Sequence, residues 1–155
     1  SDGQGDREKY IIGIDAIKKQ GKNYTVYAAG IAGHPEFENY MATELGTSVY
    51  GFDCTDTEKI AYQFKFYSWC IGTRHSFDNS TYAKRMSPAL RNSSINNFYS
   101  LKQIKNRLGH NKIDMLKMDI EGFEWDLIQE EIIEGEDANL PEQLLFELHT
   151  EGASP

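Results

Sequence analysis

Five short runs rich in apolar residues, separated by polar segments long enough to hold a helix or an extended crossover, constrain this chain more than any other feature. They are Tyr24–Ala29, Ser48–Phe52, Lys65–Trp69, Ile113–Met118 and Gln143–His149. The first three are β-branched or aromatic in character, and most of the five end at glycine, an acid or a polar stretch, the pattern of a strand. Between them the period changes to a helical one. Pro35 to Leu45 opens with proline at a permitted first-turn position and with Glu36 and Glu38 favourably placed against the helix dipole, and Gly46 closes it. Thr55 or Asp56 caps a short helix through Ala61, and Ser100 caps another. In that second helix Leu101, Ile104 and Leu108 line one face, Lys102, Lys105 and Arg107 point outward, and Gly109 ends it. A further helix runs from Phe123 to Ile133. Strands alternating with helices predict an α/β fold, a parallel sheet covered on both faces.

A chain of 155 residues predicts one domain, 1–155, with an N-terminal helix over 1–22 and a core over 23–150. In that first helix Tyr10, Ile11, Ile14 and Ile17 recur at helical spacing before Gly21. No apolar run approaches the roughly 20 residues of a membrane span. The net charge of −8 argues against a general nucleic-acid binder held by phosphate neutralisation. The charge is unevenly spread, because Lys84, Arg85, Arg91, Lys102, Lys105, Arg107 and Lys112 fall in a stretch with no acid. That segment, 84–112, is either a solvated face or a docking edge for an anionic partner. Cys54 and Cys70 form either two thiols or one bridge. Sequons at Asn23, Asn79 and Asn92 permit glycosylation in a secretory compartment and leave the compartment open. Gly72 to Asn97 is polar and aperiodic, as expected of a functional loop.

Ligands of an open parallel sheet bind beyond the carboxyl ends of its strands. The first strand ends in Ala29-Gly30-Ile31-Ala32-Gly33, a turn whose backbone can approach a ligand and whose helix start offers free N–H groups. The second ends in Asp53, 20 residues after Gly33, the spacing of a ribose-binding acid. At the fourth strand, alternation places Lys117, Asp119 and Glu121 on one side, and at the fifth it pairs Glu147 with His149. Neighbouring parallel strands would gather Asp119, Glu121, Glu147 and His149, with His149 the natural base near neutral pH.

The stretch Lys117-Met-Asp-Ile-Glu-Gly-Phe-Glu-Trp125 resembles the Asp-(Ile/Val)-Glu-Gly-x-Glu signature of FkbM-type, methyltransferase-like proteins. Val26 to Gly33, Val49 to Asp53 and Leu144 to His149 resemble that family's first-, second- and fifth-strand motifs in order. The resemblance implies a class I, Rossmann-like open parallel sheet with helices on both faces, S-adenosylmethionine as cofactor, and methyl transfer to a hydroxyl of a small molecule, glycan or peptide. It implies that Gly30, Ile31 and Gly33 line the methionine portion, Asp53 holds the ribose, and Cys70 and Ile71 flank the adenine. Asp119 sits beside the amino group and sulfonium, and Glu121 and His149 bind and deprotonate the acceptor. No metal is assigned. Where many class I methyltransferases carry an acid two residues before the first glycine, this chain has Ala28. The last two strands of the full fold are missing up to Pro155, so a truncated or reduced version is expected, with an edge strand that invites homodimerisation or a partner strand. The alternative functional reading is a catalytically inactive binding or scaffold module. A nicotinamide-dinucleotide domain is disfavoured because no full Gly-x-Gly-x-x-Gly turn occurs.

Overall fold

A computed structural model of the chain describes residues 10–55, 62–72, 97–120, 122–135 and 140–148. Helix α1 (Ile14–Gln20) and a 3₁₀ turn (Gly21–Asn23) lead into strand β1 (Thr25–Ala29), followed by α2 (Glu36–Thr43) and β2 (Ser48–Phe52). Next come β3 (Lys65–Tyr67), β4 (Cys70–Ile71), β5 (Phe98–Tyr99), α3 (Leu101–Leu108) and β6 (Met115–Met118). Helix α4 (Glu124–Leu127) widens into a π-helical segment (Ile128–Ile133), and β7 (Gln143–Phe146) closes the series. No helix among the described residues is long and apolar enough to cross a membrane.

The main sheet is five-stranded and parallel, in the order β3-β2-β1-β6-β7, while β4 and β5 pair separately. Alternation along the central strands sorts their side chains onto two layers. Tyr27, Ala29, Leu116 and Met118 pack with Leu101, Ile104 and Leu127 beneath α3 and α4. Val26 and Met115 pack with Ile17, Met41 and Leu45 beneath α1 and α2. A fully buried Met or Leu of this kind contributes about 1.5–3 kcal/mol through removal from water. The α/β sheet flanked by helices is therefore the fold that the pattern predicts, with β7 at an edge.

Several boundaries differ from the sequence expectation. Helix α1 begins only at Ile14, because Gly13 turns left-handed at φ 74° and Gln143 holds the backbone of Ile12 from both sides. Strand β3 stops at Tyr67, where Trp69 N–H bonds back to the Tyr67 carbonyl and folds the chain away from the sheet. Lys105 faces inward and is buried, and Arg107 lies 4.3 Å over the Tyr99 ring, so α3 is not the uniformly cationic outer face expected. Long basic stems cover apolar surface readily, and here that tendency wins over full solvation. The expected helix over 56–61, most of the loop over 72–97, and Lys84, Arg85 and Arg91 lie outside the described residues.

Candidate functional site

The chain runs outward from β1 to β2 to β3 and then returns to the other side of β1 with β6, so strand order reverses between β1 and β6. A cavity of about 520 Å³ opens there, above the carboxyl ends of β1, β2 and β6. Its size suits a cofactor or small-molecule ligand. One wall is apolar, made by Phe52, Trp69, Ile71, Phe98 and Phe123, with Trp69 stacked on Phe52 at 18° between planes. The lining also carries Glu36, Glu38, Asp53 and Asp119 together with Lys117 and His34.

The glycine turn builds the rim. Gly30, Ala32 and Gly33 all have positive φ, at 76°, 49° and 73°, which tilts successive backbone amides toward one point. Asp53 occupies that point. Its Oδ2 accepts hydrogen bonds from the amides of Ile31 and Ala32, both at 2.9 Å, and its Oδ1 accepts from the Thr55 amide and hydroxyl, both at 2.8 Å. These two turn amides, expected to be open to a ligand, are therefore satisfied by the protein's own carboxylate. A carboxylate offers about four lone-pair sites, so Asp53 clamps the loop as well as facing the cavity.

Lys117, from β6, and Glu38, from α2, pair beside the cavity. Lys117 Nζ donates to the Gly30 carbonyl at 2.7 Å and stands 3.3 Å from Glu38 Oε1. Glu38 is fully buried, and burial raises its carboxyl above the usual value, with Lys117 opposing the shift. Sequence reasoning assigned Glu38 only to the helix dipole. Its partner lies 79 residues away, so no local signal could have found the pair.

The fourth-strand motif divides into different tasks. Asp119 follows the end of β6, lines the cavity, and its amide bonds to the Ala29 carbonyl, locking β6 to β1 at their tips. Glu124 is buried and bonds the amides of Ile120 at 2.6 Å and Gly122 at 2.8 Å, so this acid shapes the turn. The register that sets Met118 beside Phe146, with the Glu147 amide on the Met118 carbonyl, brings Glu147 to the level of Asp119. Gly30, Ile31, Asp53, Cys70, Ile71 and Asp119 all line the one cavity, and Gly33 lies in the same turn. Glu121 and His149 lie outside the described residues.

The cysteine alternatives resolve to one bridge. Cys54 and Cys70 are disulfide-bonded with their Cα atoms 4.9 Å apart, and both cysteines line the cavity. The link ties the exit of β2 to β4. The family described as methyltransferase domain matches residues 2–154 of this chain. No curated protein and no solved structure is similar enough to the chain to be matched.

Proposed function

Because this chain belongs to the methyltransferase domain family, we propose that it is an S-adenosylmethionine-dependent methyltransferase acting on a hydroxyl of a small molecule, glycan or peptide. The observation that carries the reading is the cavity at the switch point, which combines an aromatic wall with four carboxylates and one lysine. Such a lining fits a ligand with a flat base at one end and a positive charge at the other. S-adenosylmethionine has both, and when bound it supplies an electrophilic methyl group on sulfur.

Each residue then has a stated task. The backbone of Gly30, Ile31 and Gly33 lies along the methionine portion, and Ile71 and the Cys70 half of the disulfide flank the adenine. Asp53 takes the ribose hydroxyls by exchanging them for its bonds to Thr55, which leaves the two turn amides in place. Asp119 offsets the positive charge near the sulfonium and amino group. Glu121 would orient the acceptor, and His149 would take the acceptor's hydroxyl proton. Holding oxygen, carbon and sulfur in line supplies much of the rate.

Calorimetry tests the reading. Wild-type protein is expected to bind S-adenosylmethionine and S-adenosylhomocysteine, and Asp53→Asn to bind both more weakly while remaining folded. Failure of wild type to bind either compound at high protein concentration would favour the inactive module, a reading supported by the saturation of Asp53 with bonds from its own chain. The disulfide and the exposed sequon at Asn23 also support maturation in an oxidising, secretory compartment. Enzymatic deglycosylation of protein secreted from eukaryotic cells is expected to increase its gel mobility.

A further inference from the structure

We propose that the sheet face beside α3, over β2 and β3, is a docking surface for an acidic polypeptide segment, with Arg107 and Lys65 as its charged anchors. Tyr50 of β2, Tyr67 of β3, Trp69 and Tyr99 of β5 all pack on this side of the core and stay partly exposed. Three of them form one aromatic run, with Trp69 centred 4.6 Å from Tyr67 and 5.2 Å from Tyr99. A cation sits over each end of the face. The Arg107 guanidinium carbon lies 4.3 Å from the centre of the Tyr99 ring and 5.9 Å from that of Trp69, and Lys65 Nζ lies 5.0 Å from that of Tyr50. Both basic residues are exposed, and among the described residues neither forms an ion pair.

Charge complementarity names the occupant. The chain carries a net charge of −8, so two exposed cations with no carboxylate partner make a patch opposite in sign to the molecule that bears it. Such a patch steers an acidic partner and fixes its register. A guanidinium laid on a ring is held in place by the cation–π attraction and keeps its edge N–H donors for a carboxylate, which it can grip with two hydrogen bonds. Burial of Lys105 thins the cationic stretch read from the sequence, leaving too few charges here for a polyanion held mainly by phosphate neutralisation. Trp, Tyr and Arg are instead the side chains that carry most of the binding energy where proteins meet. An acidic segment with aromatic or apolar residues between its carboxylates fits both halves of the surface. Nothing in this surface depends on the cofactor assignment.

Fluorescence anisotropy at low salt tests the proposal with two labelled peptides of equal length and charge, one alternating glutamate with tyrosine and one alternating glutamate with serine. Wild type is expected to bind the tyrosine-bearing peptide about tenfold more tightly than the serine-bearing one. Arg107→Glu/Lys65→Glu is expected to weaken that binding by about 30-fold or more. Lys18→Glu/Lys19→Glu makes the same change of charge on α1, across the sheet, and is expected to leave the affinity within about twofold. Equal losses in the two double variants would reduce the effect to overall charge and overturn the proposal, as would equal affinity for the two peptides or no binding of either. A thymidine oligonucleotide or a heparin fragment that binds more tightly than both peptides, and loses that binding in Arg107→Glu/Lys65→Glu, would also overturn it by assigning the face to another class of partner. Should the double variant not fold, Arg107→Lys decides: it keeps the charge and loses the two-donor grip, so a several-fold loss supports the proposal and unchanged affinity overturns it.

Discussion

At Gly30 the backbone sits at φ 76°, and a Cβ placed there would run into the carbonyl of Asp119. Two costs would therefore add in Gly30→Ala, left-handed strain and displacement of the β6 exit, together about 2–5 kcal/mol. Urea denaturation measures this, and a loss below about 1 kcal/mol would show that the turn yields easily. The sequence carried the need for glycine here, but it could not say that another strand's backbone makes the demand. A second residue pair is sensitive to pH. The Tyr27 hydroxyl and His110 Nδ1 share a hydrogen bond of 2.7 Å, and burial, with a smaller effect from Lys65, lowers the His110 pKa. The unfolded chain then binds this proton more readily than the folded one, so stability is present above the ordinary imidazole value near 6.5 and is lost as pH falls toward the folded pKa. An NMR titration is expected to place His110 below 6.5, with the fold weakening over the same window. A midpoint at or above that value would mean that protonation does not oppose this contact.

Helix α3 is legible in the sequence because its determinants are local. Ser100 accepts from the Gln103 amide while the Gln103 side chain accepts from the Ser100 amide, and Gly109 at φ 71° ends the helix. One contribution is not local. Both carboxylate oxygens of Glu131, in the π-helical segment after α4, accept from the Leu101 amide at 3.0 and 2.8 Å. A negative group at a helix N-terminus is favoured both by the unsatisfied amides and by the dipole. Ser100→Ala is expected to cost about 1 kcal/mol, the usual loss for an N-cap. Glu131→Ala should weaken the same helix end, and because both residues serve neighbouring amides the double variant should depart from additivity. Chemical denaturation of the two single variants and the double variant checks this, and strict additivity would mean the two caps act independently. The same distinction explains the boundaries that were missed. α1 starts late because Gln143 captures Ile12, and β3 stops early because Trp69 turns to stack on Phe52. Both depend on partners far away in sequence or on packing, and periodicity records neither.

Across the molecule, the cavity depends on three crossings that converge at the strand tips: the glycine turn after β1, Asp53 after β2 and Asp119 after β6. The strand tips were legible because strand order and hydrophobic alternation leave few arrangements of a short parallel sheet. The fourth tie, the disulfide from Cys54 to Cys70, was left open by the sequence, because two cysteines pair only if the fold brings them together. It spans a sequence separation of 16 and joins the residue after Asp53 to the wall that holds Trp69 and Ile71. On the chain-entropy account, a loop of about 15 residues gains about 3 kcal/mol from closure. At roughly 2–4 °C per kcal/mol for a domain of this size, Cys54→Ser/Cys70→Ser should melt about 6–12 °C below wild type. Wild type treated with a reductant should fall to the same temperature, since the lost constraint is the same. Because the bridge borders the cavity, the tryptophan emission should shift as the wall around Trp69 loosens, and on the proposed cofactor reading S-adenosylhomocysteine should bind more weakly in both samples. Equal melting of oxidised, reduced and double-serine protein would mean that the strand tips hold the wall without the bridge.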